Sequence, residues 1–302
     1  MGDNRNIMMN AKWLVERKEL LAWIAGGVCL LPLCLIATFP YTALHLRLLA
    51  ELNRATGMEV RVSDWTVGWP LGLEWRNVTL SKPDWGPIQL AFLQAKVEIV
   101  KALSGKLGLD IAGQIDEGAP AAGLARATLT ASSFSLAGPV TVKGQFQQLD
   151  LSKVLRRYVS HGVLNGDFSH RVDWSQATAG MVKGDGTWKA EVKDLTVEQI
   201  PVGTGKTLSL TFSKVSAGLL CQDVICDVTE LKGEGIDGSF TGEGKITIQQ
   251  PMRNSQLALA VTVVPGAGFA SKAATLGIPS LPPGVPMSVK IIGTLAQARI
   301  AL

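Results

Sequence analysis

The residues of this chain whose types and spacing could do chemistry fall into three small groups. Ser160, His161, Asp167, Ser169 and His170 gather within one short stretch and contain the ingredients of a hydrolytic triad. A triad needs nucleophile, base and orienting acid to converge in space, usually from distant segments. No Gly-x-Ser-x-Gly elbow accompanies them, so turn chemistry around Asn165-Gly166 is the expected reading. Val202-Gly203-Thr204-Gly205-Lys206-Thr207 looks like the end of a phosphate-binding loop, but the first glycine of that pattern falls on Ile200. The chain then enters Leu208-Ser209-Leu210-Thr211-Phe212, a strand pattern and not a helix whose N-terminus could hold phosphate. A hairpin turn is expected there. With three histidines and no Cys–His spacing, no metal site and no cofactor are expected.

Cysteine is the third group. Cys221 and Cys226 enclose Gln222-Asp223-Val224-Ile225. If Asp223-Val224 forms a two-residue hairpin loop, the cysteines face each other as a non-hydrogen-bonded pair, where side chains approach most closely. A disulfide is then expected in an oxidising compartment, the alternative being two reduced, half-buried thiols. Cys29 and Cys34 fall in an apolar run, where cysteine serves as a small apolar filler.

The elements that must position these residues begin with that run. From Leu20 to Leu44 the sequence holds no charged residue, and roughly 20 apolar residues suffice to cross a bilayer as a helix. Trp13 and Trp23 on one side and Tyr41 on the other suit the two interfaces, and Arg5, Lys12, Arg17 and Lys18 precede the run. The positive-inside bias puts such an N-terminus in the cytoplasm and the rest beyond the membrane. A cleaved signal peptide is the alternative. Its apolar core would be shorter, about 7–15 residues, and end in small residues, which Ala37-Thr38-Phe39 matches poorly. The expected organisation is a cytoplasmic N-terminus over 1–19, a transmembrane helix over 20–42, a membrane-proximal helix over 43–57 and a β-rich domain over 58–302.

From Met58 onward the hydrophobic period changes from helical to two. Alternation is clear in Leu107-Gly108-Leu109-Asp110-Ile111, in Leu208 to Phe212 and in Leu257 to Val263, with turn signals such as Lys183-Gly184-Asp185-Gly186 and Asp237-Gly238 between such runs. Closely spaced strands with few helices argue for antiparallel meanders. Asp150 to Tyr158 reads as one short helix and marks a provisional midpoint, and Ala270 to Leu276 reads as a helical turn in a Pro/Gly-rich stretch. The net charge of +4 and the absence of a basic block exclude a nucleic-acid stripe. Trp65, Trp69, Trp75 and Trp85 crowd the start of this region. They could form a core, an interfacial belt or, through Trp65, Trp69 and Trp75, a partner-binding surface.

The run Val62-Ser63-Asp64-Trp65, followed by Gly68-Trp69-Pro70-Leu71-Gly72-Leu73-Glu74-Trp75-Arg76-Asn77-Val78-Thr79-Leu80, and the closing Ile291-Ile292-Gly293-Thr294-Leu295 resemble the type II secretion system protein N (GspN) family, within the wider group of AsmA- and TamB-like envelope proteins. The resemblance covers nearly all of the chain from Leu20. It implies a mainly β fold: a transmembrane helix, then a long, twisted, mostly antiparallel curved sheet forming a β-groove, with one or two short helices. It implies an inner-membrane anchor, a periplasmic body and no catalytic motif, hence a non-enzyme. The implied partners are other type II secretion components or membrane lipid, with homo-oligomerisation left open. Residue chemistry agrees with a groove. A sheet face that stays apolar with no helix layer over it must close on itself, dimerise or hold something greasy. Leu107, Leu109, Ile111, Leu208, Leu210 and Phe212 are the candidate lining. A β-sandwich of two mutually covering sheets is the alternative.

Overall fold

The computed structural model describes residues 38–56, 58–68, 72–82, 85–115, 123–132, 138–178, 181–201, 207–249, 254–276, 282–295 and 297–301, with isolated positions 23, 26, 27, 30 and 34 before them. The 1–19 segment and nearly all of the expected span over 20–42 therefore lie outside the described residues, as do Trp69 and the loop over 202–206. Among the described residues no helix is long and apolar enough to cross a membrane.

Helix α1 covers Tyr41–Thr56, and the chain divides into two compact units within it, between Glu51 and Leu52. The second unit is one antiparallel sheet. Its strands are β1 (Glu59–Gly68), β2 (Gly72–Lys82), β3 (Trp85–Val97), β4 (Leu107–Gln114), β5 (Leu124–Ala131), β6 (Pro139–Asp150), β7 (Val159–Thr178), β8 (Met181–Pro201), β9 (Thr207–Gln222), β10 (Ile225–Gly235), β11 (Gly238–Thr247), β12 (Gln256–Pro265), β13 (Met287–Thr294) and β14 (Gln297–Ala301). All 14 lie in sequence order, each paired with the strand before it. At about 4.8 Å per strand the sheet runs about 60 Å from edge to edge. Among the described residues three short helices interrupt it: α2 (Ile99–Leu103), α3 (Leu151–Val154) and α4 (Ala267–Leu276). The described strands form one sheet, so the sandwich alternative gives way to an open sheet.

The pairing follows from the alternation. One row of cross-strand neighbours reads Val97, Leu109, Leu129, Val142, His170, Gly186, Cys221, Cys226, Ile246, Leu257, Gly293 from β3 to β13. The row one residue away reads Lys96, Asp110, Thr128, Lys143, Ser169, Thr187, Leu220, Asp227, Lys245, Ala258, Ile292. Successive side chains point to opposite faces, so the first row lies on a face without charge and the second on a polar one. A slip by one residue in strands such as β3, β4, β5, β6, β11 or β13 would send charge onto the apolar face, which is why the register is strongly specified.

Bulges interrupt the alternation where strands bend. The β6–β7 register shifts between Phe146 and Leu149, and Gln148 there has φ 50. The β8–β9 register shifts between Val197 and Ile200, with Gln199 at φ 58. An extra residue in one strand bends it and strengthens its twist.

Burial is deep at the start of the sheet, where Leu73, Trp75 and Val78 of β2 are buried, and again at Ala131, Val140, Cys221 and Cys226. Trp75 is only 5% exposed and pairs across to Trp65. Of the alternatives open for Trp75, its burial selects the core, where a large ring gains most, over its candidacy as a partner surface. Trp65, on the edge strand, stays half-buried.

Two other expectations change. The helix expected over 150–158 is the single turn of α3, begun by Asp150, whose Oδ1 accepts from the Ser152 N–H at 2.9 Å. It is no midpoint, because β6 and β7 pair on either side of it. The turn expected at Ala270 is a ten-residue helix, α4.

Cys221 and Cys226 face each other and are joined by a disulfide. Asp223, at φ 52, occupies the first central position of the hairpin loop, where a primed turn requires positive φ. The bridge closes so short a loop that its entropic contribution is about 2 kcal/mol or less. Cys221→Ser is expected to lower stability by no more than that, read from denaturant midpoints. Non-reducing peptide maps should show one linked fragment in the native protein.

Candidate apolar binding face

The candidate site is the uncharged face. Among the described residues it carries no Asp, Glu, Lys or Arg from β3 to β13. The candidates expected from sequence all lie on it: Leu107, Leu109 and Ile111 pair with Ala131, Leu129 and Ala127, and Leu210 and Phe212 pair with Val197 and Leu195. Leu208 is buried, and the others are half-buried. The two triads are not brought together; β5 to β8 lie between them.

Each triad borders its own hollow. Ile111 lines one of about 230 Å³ with Leu90, Leu93, Phe146, Leu149 and Phe168. Leu210 and Phe212 line a smaller one of about 100 Å³ with Phe240, Val263 and Phe269. Phe269 belongs to α4, so the expectation of a wholly uncovered face is corrected at this end. A ten-residue helix covers part of it.

Between the hollows the face is paved with aromatic rings. Phe146, Phe168 and Trp188 stand on β6, β7 and β8, with centroids 5.7 Å apart for the first pair and 4.5 Å for the second, which is stacked at 12°. Glycines make room for them. Phe168 lies against Gly144, His170 against Gly186 and Phe240 against Gly233, each glycine standing directly across a strand pair. A ring laid over a glycine covers backbone that would otherwise be bare, a known device in sheets. Trp188 remains 38% exposed.

The chain matches no family model, no curated protein and no solved structure. The chemistry of the face must therefore be read from its own residues.

His170 is the titratable side chain in this apolar row. Its Nδ1 is buried without a hydrogen-bond partner. Burial pushes its pKa below the ordinary imidazole value, and nearby Asp185 only partly opposes that. A base whose folded pKa is depressed binds fewer protons than the unfolded chain between the two values. Its share of stability is thus complete above about pH 6.5 and lost as pH falls below it. Denaturant midpoints at pH 7.5 and 5.5 should differ more for the wild type than for His170→Gln. Equal differences would show that His170 is neutral to folding.

The same alternation separates the residues that resembled a triad. Asp167 and Ser169 occupy the polar face and His170 the apolar one. The phosphate-loop lookalike joins two antiparallel strands, with Pro201 paired to Thr207 on either side of it.

The polar face has the larger hollow, about 1130 Å³, lined by Gln145, Asp167, Lys189, Glu191, Lys214 and Glu230 among others. Its charges answer one another. Lys214 and Glu191 pair at 2.8 Å, and the hydrogen bond from Lys214 holds Glu191 below the usual carboxylate range. Size alone does not make it the better site. A hollow lined by charges of both signs presents a ligand with mixed charge, whereas the opposite face offers a long apolar surface of a kind that normally marks binding.

Sequence reasoning missed Phe146, Phe168 and Trp188. The signal available was the alternation of Val140, Val142, Gly144 and Phe146, which runs unbroken up to the bulge at Gln148, and the glycines that stand across from the rings in β6 to β8.

Proposed function

We propose that this protein is a non-catalytic, membrane-tethered carrier that shelters the acyl chains of membrane lipid on the apolar face of its sheet, used as a groove beyond the inner membrane. The observation that carries this reading is the continuous uncharged face from β3 to β13, backed by a polar face. Acyl chains gain about 0.8 kcal/mol per buried methylene without any directional contact, so such a face needs no polar site to hold them. The uncharged run from Leu20 to Leu44 and the basic residues before it support a single-pass anchor with a cytoplasmic N-terminus and a periplasmic body.

The test is lipid mass spectrometry of the full chain, extracted in polymer-bounded membrane patches and then stripped by extensive exchange into lipid-free detergent. Retention of a stoichiometric phospholipid or fatty acid after exchange is the expected result. Complete loss, with the protein still folded, would overturn the reading.

A second reading, a structural component of the type II secretion system, is favoured by the sequence run built around β1 and β2. That pair forms an edge of the sheet, where Trp65 remains half-buried and accessible. Photo-crosslinking from position 65 in cells that carry the secretion machine tests it, since a scaffold role requires a machine component among the adducts.

A further inference from the structure

At one end of the apolar face the sheet is incomplete, and an ion pair fills the gap. Pairing of β9 with β10 stops at Lys214 and Glu234, while β9 continues to pair with β8 as far as Thr207. The first half of β9 therefore has a strand on one side only. On the other side its backbone is met by two side chains: the Thr211 N–H donates to Asp237 Oδ2 at 2.6 Å, and Lys272 Nζ donates to the Ser209 carbonyl at 3.0 Å. Lys272 Nζ and Asp237 Oδ2 are themselves 2.5 Å apart. Carboxylate and ammonium together do the hydrogen bonding of a missing strand, and in doing so they tie α4 to the sheet.

Two backbone hydrogen bonds also hold the start of the helix to the β10–β11 turn: the Gly266 N–H donates to the Asp237 carbonyl at 3.0 Å and the Gly268 N–H to the Ile236 carbonyl at 3.1 Å. Toward the sheet α4 presents mostly small residues, with Ala273 fully buried and Phe269 the large apolar side chain beside Leu210 and Phe212. Gly268 lets the helix backbone rest on the β10–β11 turn, where a Cβ would come within 2.8 Å of the Ile236 carbonyl. The clamp is also under-used, for the Asp237 side chain is fully buried and its Oδ1 has no hydrogen-bond partner. A buried ion pair of this kind fixes position better than it stabilises. Phe269 lines the apolar hollow together with Leu210, Phe212 and Phe240.

We propose that α4 is a gate over the β9–β12 end of the apolar face, latched by Lys272 and Asp237, and displaced when an acyl chain takes the place of Phe269. The gate rests on the acyl-chain reading given above. It adds that the face has an open section, around Ile111 and Phe146, and a section that opens only on loading. The geometry supports the division: the open section has no helix among its lining residues, and the gated one has Phe269.

The experiment uses the full chain in nanodiscs and a palmitate carrying a photoactivatable diazirine, with adducts mapped by peptide mass spectrometry. Asp237→Asn with Lys272→Met removes the latch while leaving an amide oxygen for the Thr211 N–H. In that double variant, adducts on Thr207 to Lys214 are expected to rise at least threefold, with those around Ile111 and Phe146 unchanged. In the wild type, palmitate should speed hydrogen exchange of the α4 amides, whereas a simple cover would be protected by the ligand. Phe269→Ala, which keeps the latch, should raise the same adducts to a smaller extent and serves if the double variant does not fold. Adducts around Ile111 and Phe146 with no increase on β9 in either variant would overturn the gate and leave the acyl-chain reading standing. Adducts at neither place, in any of the proteins, would overturn both.

Discussion

Gly144→Val is expected to destabilise the sheet by about 3 kcal/mol, the upper range for forcing volume into a packed site. The reason is local. A Cβ at position 144 would collide with the Phe168 ring and lie 2.8 Å from the Arg126 carbonyl. The ring cannot retreat freely, because its other side is stacked on Trp188. At about 2–4 °C per kcal/mol for a domain of this size, the melting temperature should fall by about 6–12 °C. Gly68→Ala is the control: its new Cβ would meet nothing nearer than 3.8 Å, so its effect should stay within about 0.5 kcal/mol. Circular dichroism melts decide the matter. If the two variants melt together, the ring does not seal the sheet at Gly144.

Ile111→Asp and Thr187→Asp should part company in ligand binding. Both introduce one carboxylate into a strand of the same sheet, the first on the apolar face and the second on the polar face. Ile111 lines the larger apolar hollow and is half-buried, so its replacement should cost about 2–3 kcal/mol in lost burial and carboxylate desolvation, leaving the domain folded. Retained lipid should fall at least tenfold in Ile111→Asp and stay at the wild-type level in Thr187→Asp. A tenfold loss corresponds to about 1.4 kcal/mol of binding free energy. Equal retention in the two would mean that the lipid rides elsewhere on the molecule.

How much of this could be read from the chain alone depended on whether a signal was local. Strands β4, β9 and β12 were legible because Leu107 to Ile111, Leu208 to Phe212 and Leu257 to Val263 alternate without interruption. The hairpin at Asp223-Val224 and the turn at Asp237-Gly238 were legible from their residue types. The long strands β7 and β8 were not, because bulges opposite and within them change which residues face the same way. Helix α4 was cut short in the reading because Ala267-Gly268-Phe269 carries neither a capping side chain nor an acidic first turn. The most consequential contact was invisible in principle. Lys272 and Asp237 lie 35 residues apart, and nothing in either neighbourhood announces the other. For Trp75 the aromatic crowding left core, belt and surface open, and only the pairing of β1 with β2 and the burial of the ring separated them.

The strict sequence order of the strands bears on how such a sheet is made. Each strand needs only the one just before it, so every pairing is between near neighbours along the chain and the loop to be closed is short. A chain that emerges end-first as it is made can therefore add strands one at a time to an edge already formed, with no wait for distant segments. The same order makes the length of the sheet modular, as in proteins whose units contact only adjacent units. Losing two consecutive strands would shorten the surface by about 10 Å and keep both faces intact. Losing one would reverse the direction of every strand after it. In such a sheet length is gained or lost a hairpin at a time, and the extent of the apolar surface follows from how many hairpins the chain contains.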